Sequence, residues 1–304
     1  MPVIEFQTKH KAKGLYDYIV EDDDGMVADT VRIEAEETLV EGDLCTIYSC
    51  AYNGAPAVLK IARHAEDNDL VTNEINSLQV LNEGPNGKFH MYLPQVQISG
   101  THEGKAFSVF KHYQKRHTIA EVLQAFPNGL DYRDAVWMYK RVLVGAGFAH
   151  GRGIIHGAIL PSHVLINPEH HGARIIDWCY SVRAPTTKLD AKGIKASHIK
   201  AISNEYRAYY PPEVFEKKPA HPTIDIYMAT KIMVALLGGN IATNEMPDKV
   251  PVELRRLLST ALVTDLRRRP QDAWNFHTTL DELLKNLVGE PKFRVFTMPK
   301  VSHA

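Results

Sequence analysis

The stretch APAVLKIA, residues 55–62, sets a lysine, Lys60, inside an otherwise apolar strand. A buried ammonium is costly to leave alone, so Lys60 calls for an anion, either a carboxylate or the phosphate of a ligand. Glu74 follows on the polar side of a helical pattern and is the candidate carboxylate. A strand-edge lysine that simply reaches solvent would need neither partner, and the spacing alone does not choose. Other groups able to do chemistry have plainer readings. His170 and His171 fall in the turn NPEHHGA and are expected to face solvent. Cys45 and Cys179 read as small hydrophobic filling rather than reactive thiols.

The elements that must hold these residues change character along the chain. Up to about residue 63, short alternating runs rich in Val, Ile, Thr and Tyr are broken by Asp24-Gly25 and Asn53-Gly54, both hairpin signals. From Asp67, Leu70, Ile75, Leu78 and Leu81 recur at helical spacing, with Gly84 as the stop. Helical periodicity returns in TIAEVLQAF and in DYRDAVWMYKRVLVGAGFAHGRG, which starts at Asp131. The segment from about Arg183 to Tyr206 reads as a long basic loop carrying Lys188, Lys192, Lys195 and Lys200, able to dock an acidic surface or simply to be solvated.

Composition limits the function classes. With 304 residues and 44% hydrophobic content the chain fills one large domain or two smaller ones. Its 35 basic and 36 acidic residues give a net charge of -1, which recruits neither nucleic acid nor an anionic membrane. Three cysteines suit a reducing compartment, and neither a signal-peptide core nor an apolar run of membrane-spanning length is present. These features predict a cytoplasmic protein with no nucleic-acid or membrane partner.

Taken in order, the motifs resemble a protein kinase. Lys60 and Glu74 stand where that family has its strand lysine and helix glutamate, an ion pair beside the nucleotide phosphates. LVEGDLCTIYS lies on the glycine-rich loop, GFAHGRGIIHGAILPSHVLIN on the catalytic loop and ARIIDWCYS on the D-F-G segment. YYPPEVF, TIDIYMATKIMVALLGG and DLRRRP are similar to the later landmarks, so the resemblance spans roughly residues 36 to 285. It implies an α+β, bilobal protein-kinase-like fold. The small lobe would be an antiparallel sheet with one helix, residues 36–114, and the larger, mainly helical lobe residues 115–288. A strand or hairpin extension, 1–35, and a tail, 289–304, would flank them.

The resemblance carries over to scaffold residues better than to chemical ones. Glu213 and Arg269 match the pair that ties down the end of the activation segment, and His156 and Asp225 match the residues that brace the catalytic loop. At the positions of the catalytic aspartate and lysine stand Ala158 and Leu160, with Gly157 replacing the loop arginine and His163 the metal-holding asparagine. An alanine accepts no proton and a leucine carries no charge; loss of the general base alone costs roughly 10²–10⁴-fold. No arginine at 157 is available to order a phosphate on Ser197, Ser203 or Tyr206. In the glycine-rich loop only Gly42 remains, with Val40 and Cys45 in the other two places and Asp43 beside them, which predicts weakened or reshaped nucleotide binding.

What is retained implies a nucleotide site of Gly42, Lys60, Glu74 and Asp177, with Asp177 as metal carboxylate. His163 would make a mixed nitrogen and oxygen pair with Asp177, suited to manganese or zinc better than to magnesium, or would be a backbone-bonded loop histidine. Trp178 and Cys179 follow Asp177, Cys179 restricting the flip that glycine permits. The resemblance thus implies a degenerate kinase acting through another protein, with ATP and Mg or Mn as its cofactors. One alternative is an atypical metal-dependent phosphoryl or nucleotidyl transferase using His163, Asp177 and a carboxylate such as Asp190. The other is an interaction module that binds no nucleotide.

Overall fold

The computed structural model describes residues 3–8, 29–84, 87–183, 197–290 and 292–299, which divide into two compact units. The α+β architecture matches the one implied by the sequence: a small antiparallel sheet with one helix, and a larger helical unit.

The first unit takes residues 1–75 and 95–112. Its strands are β1 (Val3–Thr8), β2 (Asp29–Glu41), β3 (Cys45–Tyr52), β4 (Ala55–Ala62), β5 (Val96–His102) and β6 (Lys105–Lys111), in the order β1-β2-β3-β4-β6-β5 and antiparallel throughout. Asn53 and Gly54 close the β3–β4 hairpin with φ of 49° and 73°, the left-handed pair that a two-residue turn demands. The Asp24-Gly25 signal lies outside the described residues. Ile4, Ile33, Leu59, Phe107 and Val109 form the sheet's core, so β1 and the start of β2 share one hydrophobic cluster with the strands after residue 36. β2 crosses that position within one strand, with register shifts between Ala35 and Glu37 and between Thr38 and Val40.

Helix α1 (Asn68–Asn82) starts on a side-chain clamp: Asn68 donates to Gly104 O at 2.8 Å and accepts from Ala106 N at 2.7 Å. The helix stops before Gly84, whose φ is +67°, and the two units divide within it, after Ile75.

The second unit takes residues 76–94 and 113–304. Strand β7 (His117–Thr118) leads into α2 (Ile119–Ala125), where Thr118 and Glu121 make a capping box, and α3 (Tyr132–Gly151) starts on Asp131, which accepts from Arg133 N at 2.9 Å. Then come β8 (Ile154–Ile155), β9 (Val164–Asn167), β10 (Gly172–Ile175), β11 (Val182–Arg183), α4 (Pro212–Phe215), α5 (Pro222–Leu236), α6 (Val252–Ala261) and α7 (Ala273–Val288). β9 pairs with both β10 and β7. α5 is buried along nearly its whole length, which explains why its run lacks the polar face of a surface helix. No helix among the described residues is long and apolar enough to cross a membrane.

Within the described part of the tail, Arg294 and Phe296 are packed. Phe296 is buried, with its ring 5.7 Å from Phe126 and 6.1 Å from Trp137, and Arg294 donates twice to Asp134 of α3, at 3.0 and 3.2 Å. His171 corrects the expectation of a solvent-facing ring: it stacks on Trp137 at 4.2 Å and on Phe293 at 4.3 Å. A left-handed backbone at His171, φ 49°, is the local signature of that turn. Replacing Asp134 by asparagine is expected to lower unfolding stability by about 0.5–1 kcal/mol, the range of partly exposed ion pairs, and the loss should shrink in high salt. Chemical denaturation at two ionic strengths checks it.

Candidate functional site

Within the small unit the strand lysine finds its anion. Lys60 sits in β4 between Ile47 of β3 and Ser108 of β6. Its ammonium donates to Glu74 Oε2 at 2.8 Å, with both side chains buried, so Glu74 is not on a solvent face. Such a pair gains little net stability, because desolvation offsets the Coulomb attraction, but removing one partner strands a charge.

The glycine-rich loop has become a short turn. Val40 is opposite Ile47 and Glu41 opposite Thr46, so β2 and β3 stay paired almost to the tip. Gly42 N–H donates to Cys45 O at 3.0 Å, and the Arg63 guanidinium donates to Gly42 O at 3.1 Å. The single retained glycine therefore has its own N–H engaged inside the turn, which argues against Gly42 as a phosphate donor in this conformation. Cys45 packs with Ala62, Val71 and Ala106 as core filling.

In the large unit the catalytic-loop frame hangs on one buried aspartate. Asp225, in the first turn of α5 and wholly buried, accepts from His156 N, from Gly157 N and from the His150 ring, each at 2.8 Å. The His156 ring donates from Nε2 to Ile176 O at 3.0 Å and accepts from Ala158 N at Nδ1, 3.2 Å. That pairing requires the neutral ring, and burial pushes its pKa down to about 4. The unfolded histidine, near 6.5, takes up a proton before the folded one does, so stability is full above that value and falls as pH drops from about 6.5 toward about 4. Urea unfolding at pH 7.5, 6 and 5 reads this, and equal stability at all three would contradict neutral burial.

Gly157 has a reason beyond the missing arginine. Its φ is +75°, and a Cβ there would meet Tyr180 O at 2.9 Å. Ala158 and Leu160, at the positions of the catalytic aspartate and lysine, have no exposed surface.

His163 and Asp177 are brought together. His163 Nδ1 lies 2.9 Å from Ala158 O, and its Nε2 lies 3.0 Å from Asp177 Oδ2. Because a carbonyl only accepts, Nδ1 carries a proton. The Nε2 contact with the carboxylate oxygen is at direct hydrogen-bonding distance, so no ion lies between the two atoms. Any divalent ion would have to take the two as neighbouring ligands, and a nitrogen with an oxygen suits manganese or zinc better than magnesium, which prefers oxygen ligands. Asp177 itself holds a left-handed backbone, φ 64° and ψ 59°, a conformation costly for a non-glycine residue and held in place by its surroundings. Trp178 is fully buried and donates from Nε1 to Ile175 O at 3.0 Å; Cys179 is buried beside it.

Glu213 and Arg269 form a buried two-point pair. Arg269 donates from Nη1 and Nη2 to the two Glu213 oxygens, from Nε to Val263 O at 2.7 Å and from Nη2 to Thr264 O at 2.9 Å, with its Cζ 4.7 Å above the Tyr227 ring. Upstream, Ser197 O accepts from Ala220 N at 2.9 Å and Ser203 N donates to the Tyr210 hydroxyl at 3.1 Å. Lys188, Lys192, Lys195 and Asp190 lie outside the described residues. Sequence reasoning missed His150, whose ring bonds Asp225 across 75 positions and whose only signal is a histidine in the last turn of α3.

A small unit presenting a buried lysine–glutamate pair, and a large unit whose histidine loop hangs from an α5 aspartate, define a protein-kinase-like architecture. The protein kinase domain family model matches residues 33–300, and the chain belongs to that family. Among curated relatives, cyclin-dependent kinase-like 2 of Homo sapiens is 41% identical over 51 residues, 17% of this chain and 10% of that protein. Sperm motility kinase Z of Mus musculus is 24% identical over 151 residues, 44% of this chain and 28% of its own length. The chain therefore matches only a minor part of these relatives. The solved kinase domain of PknI from Mycobacterium tuberculosis, a point mutant, superposes with a TM-score of 0.61 at 17% identity, covering 83% of this chain and 95% of that one, a likeness of fold.

Proposed function

We propose that this chain is a pseudokinase: a kinase-like module that binds ATP and acts on another protein by contact rather than by phosphoryl transfer. One observation carries the reading. Ala158 and Leu160 are wholly buried, so the catalytic loop presents neither a base nor a transferring cation at those positions, while the frame around them keeps its hydrogen bonds. A frame maintained without its chemistry suits a conformational role. His163 and Asp177 would hold a divalent ion, whose part is to neutralise phosphate charge; manganese suits the nitrogen and oxygen set. The same pair also favours a second reading, atypical metal-dependent transfer, which predicts labelled product.

Thermal unfolding titrated with ATP, without metal and with magnesium or manganese, tests the binding half. A ligand at about 100 times its Kd adds about 2.7 kcal/mol to the folded state, an easily read shift. Lys60→Ala and Asp177→Ala are each expected to diminish it. No shift under any of the three conditions, in a chain that unfolds cooperatively, would leave the third reading, an interaction module without nucleotide.

A further inference from the structure

The large unit sets two arginines, one buried and one half-buried, against one tyrosine. Arg174, on β10, is 7% exposed, and its Cζ lies 3.7 Å from the centroid of the Tyr113 ring. Arg116, just before β7, is half-buried and has its Cζ 5.5 Å from the same centroid. Arg174 donates from Nη1 to Leu93 O, which with Tyr113 accounts for part of its donor set. Its Nε has no hydrogen-bond partner although buried, and neither has Nη1 of Arg116.

Among the described residues no carboxylate forms an ion pair with either guanidinium. Glu169, at the neighbouring turn, pairs instead with the exposed Lys115 at 3.7 Å. Guanidinium groups do not escape burial by losing a proton, so two of them close to one ring repel each other and keep their desolvation cost. An aromatic face and one carbonyl offset only part of that cost. The missing component is negative charge, and two cations with free donors call for a dianion.

We propose that Arg116 and Arg174 form an oxyanion site that takes a phosphate group, as inorganic phosphate or as the monoester of a small molecule. The planar forks of two arginines match the edges of a tetrahedral phosphate, and the Arg174 Nε and Arg116 Nη1 donors are the ones it would satisfy. This site is separate from the Lys60 site, and it stands whether or not ATP binds.

The test follows arginine side-chain Nε–H resonances of the wild-type protein by NMR while inorganic phosphate is added, against potassium chloride at matched ionic strength. The Arg174 Nε–H signal is expected to shift saturably with phosphate and not with chloride. Affinity should fall at least ten-fold in Arg116→Gln and stay unchanged in Lys60→Ala. Arg116→Lys, which keeps the charge and drops the fork, serves as the second variant should Arg116→Gln fail to fold, and is also expected to bind more weakly. A parallel titration with glycerol 3-phosphate distinguishes the two sources of the group by their relative affinities. The proposal is overturned if the resonance responds to neither phosphate compound beyond chloride, or if Lys60→Ala abolishes the response while Arg116→Gln preserves it.

Discussion

Asp225→Ala is expected to cost about 3–5 kcal/mol of unfolding stability, the range for breaking a buried charged network. The carboxylate accepts from two successive backbone N–H groups, His156 and Gly157, and from the His150 ring, with no exposed surface of its own. Alanine leaves all three donors buried without an acceptor, and each unsatisfied donor costs about 1–3 kcal/mol. Asp225→Asn should fall between, since an amide offers one accepting oxygen and turns an N–H₂ toward groups that already donate. Urea unfolding of the three proteins measures the series. A loss under about 1 kcal/mol for Asp225→Ala would contradict the view that this aspartate suspends the loop, since even one stranded donor costs that much.

Arg269→Met is expected to lose a similar amount, about 3–5 kcal/mol, for a different reason. Glu213 would stay buried with no cation, and the Val263 and Thr264 carbonyls would lose their donor. The double variant Glu213→Leu with Arg269→Met removes the stranded charge and should recover much of the loss, because a hydrophobic replacement of a whole buried pair is often near neutral. The double-mutant cycle by chemical denaturation decides. Equal losses in single and double variants would show that Arg269 acts through its carbonyl contacts rather than through Glu213.

These two residues were legible in the sequence because their chemistry is tied to ordered motifs. Lys60 was legible for a simpler reason: an ammonium inside an apolar strand advertises a partner, and Glu74 supplies it at 2.8 Å. Asn53-Gly54 and Asp131 carry their own local geometry, a left-handed turn and a helix cap. The contacts that escaped reading join residues far apart in the chain with no local pattern. His150 reaches Asp225 across 75 positions, and Arg174 reaches Leu93 across 81. His171 looked exposed because a histidine in a polar turn usually is; the stacking partners that half-cover it, Trp137 and Phe293, come from α3 and from the tail. Gly42 shows a contact that its type does not announce: its N–H closes its own turn onto Cys45 O.

The hydrogen-bonded frame is thus separable from the side chains it presents. The hydrogen bonds that suspend the catalytic loop are in place, whereas the side chains at 158 and 160 turn into the core. Asp177 and His163 face each other beside that loop at 3.0 Å.

Incubation of the full chain with γ-labelled ATP and manganese or magnesium tests the pseudokinase reading most directly, with label followed both on the chain and on a generic protein substrate. A pseudokinase gives no label above that seen with Asp177→Ala, under conditions where ATP raises the unfolding midpoint. Label incorporation by the wild type that Asp177→Ala abolishes would contradict it, and would make the His163 and Asp177 pair the centre of a working transferase.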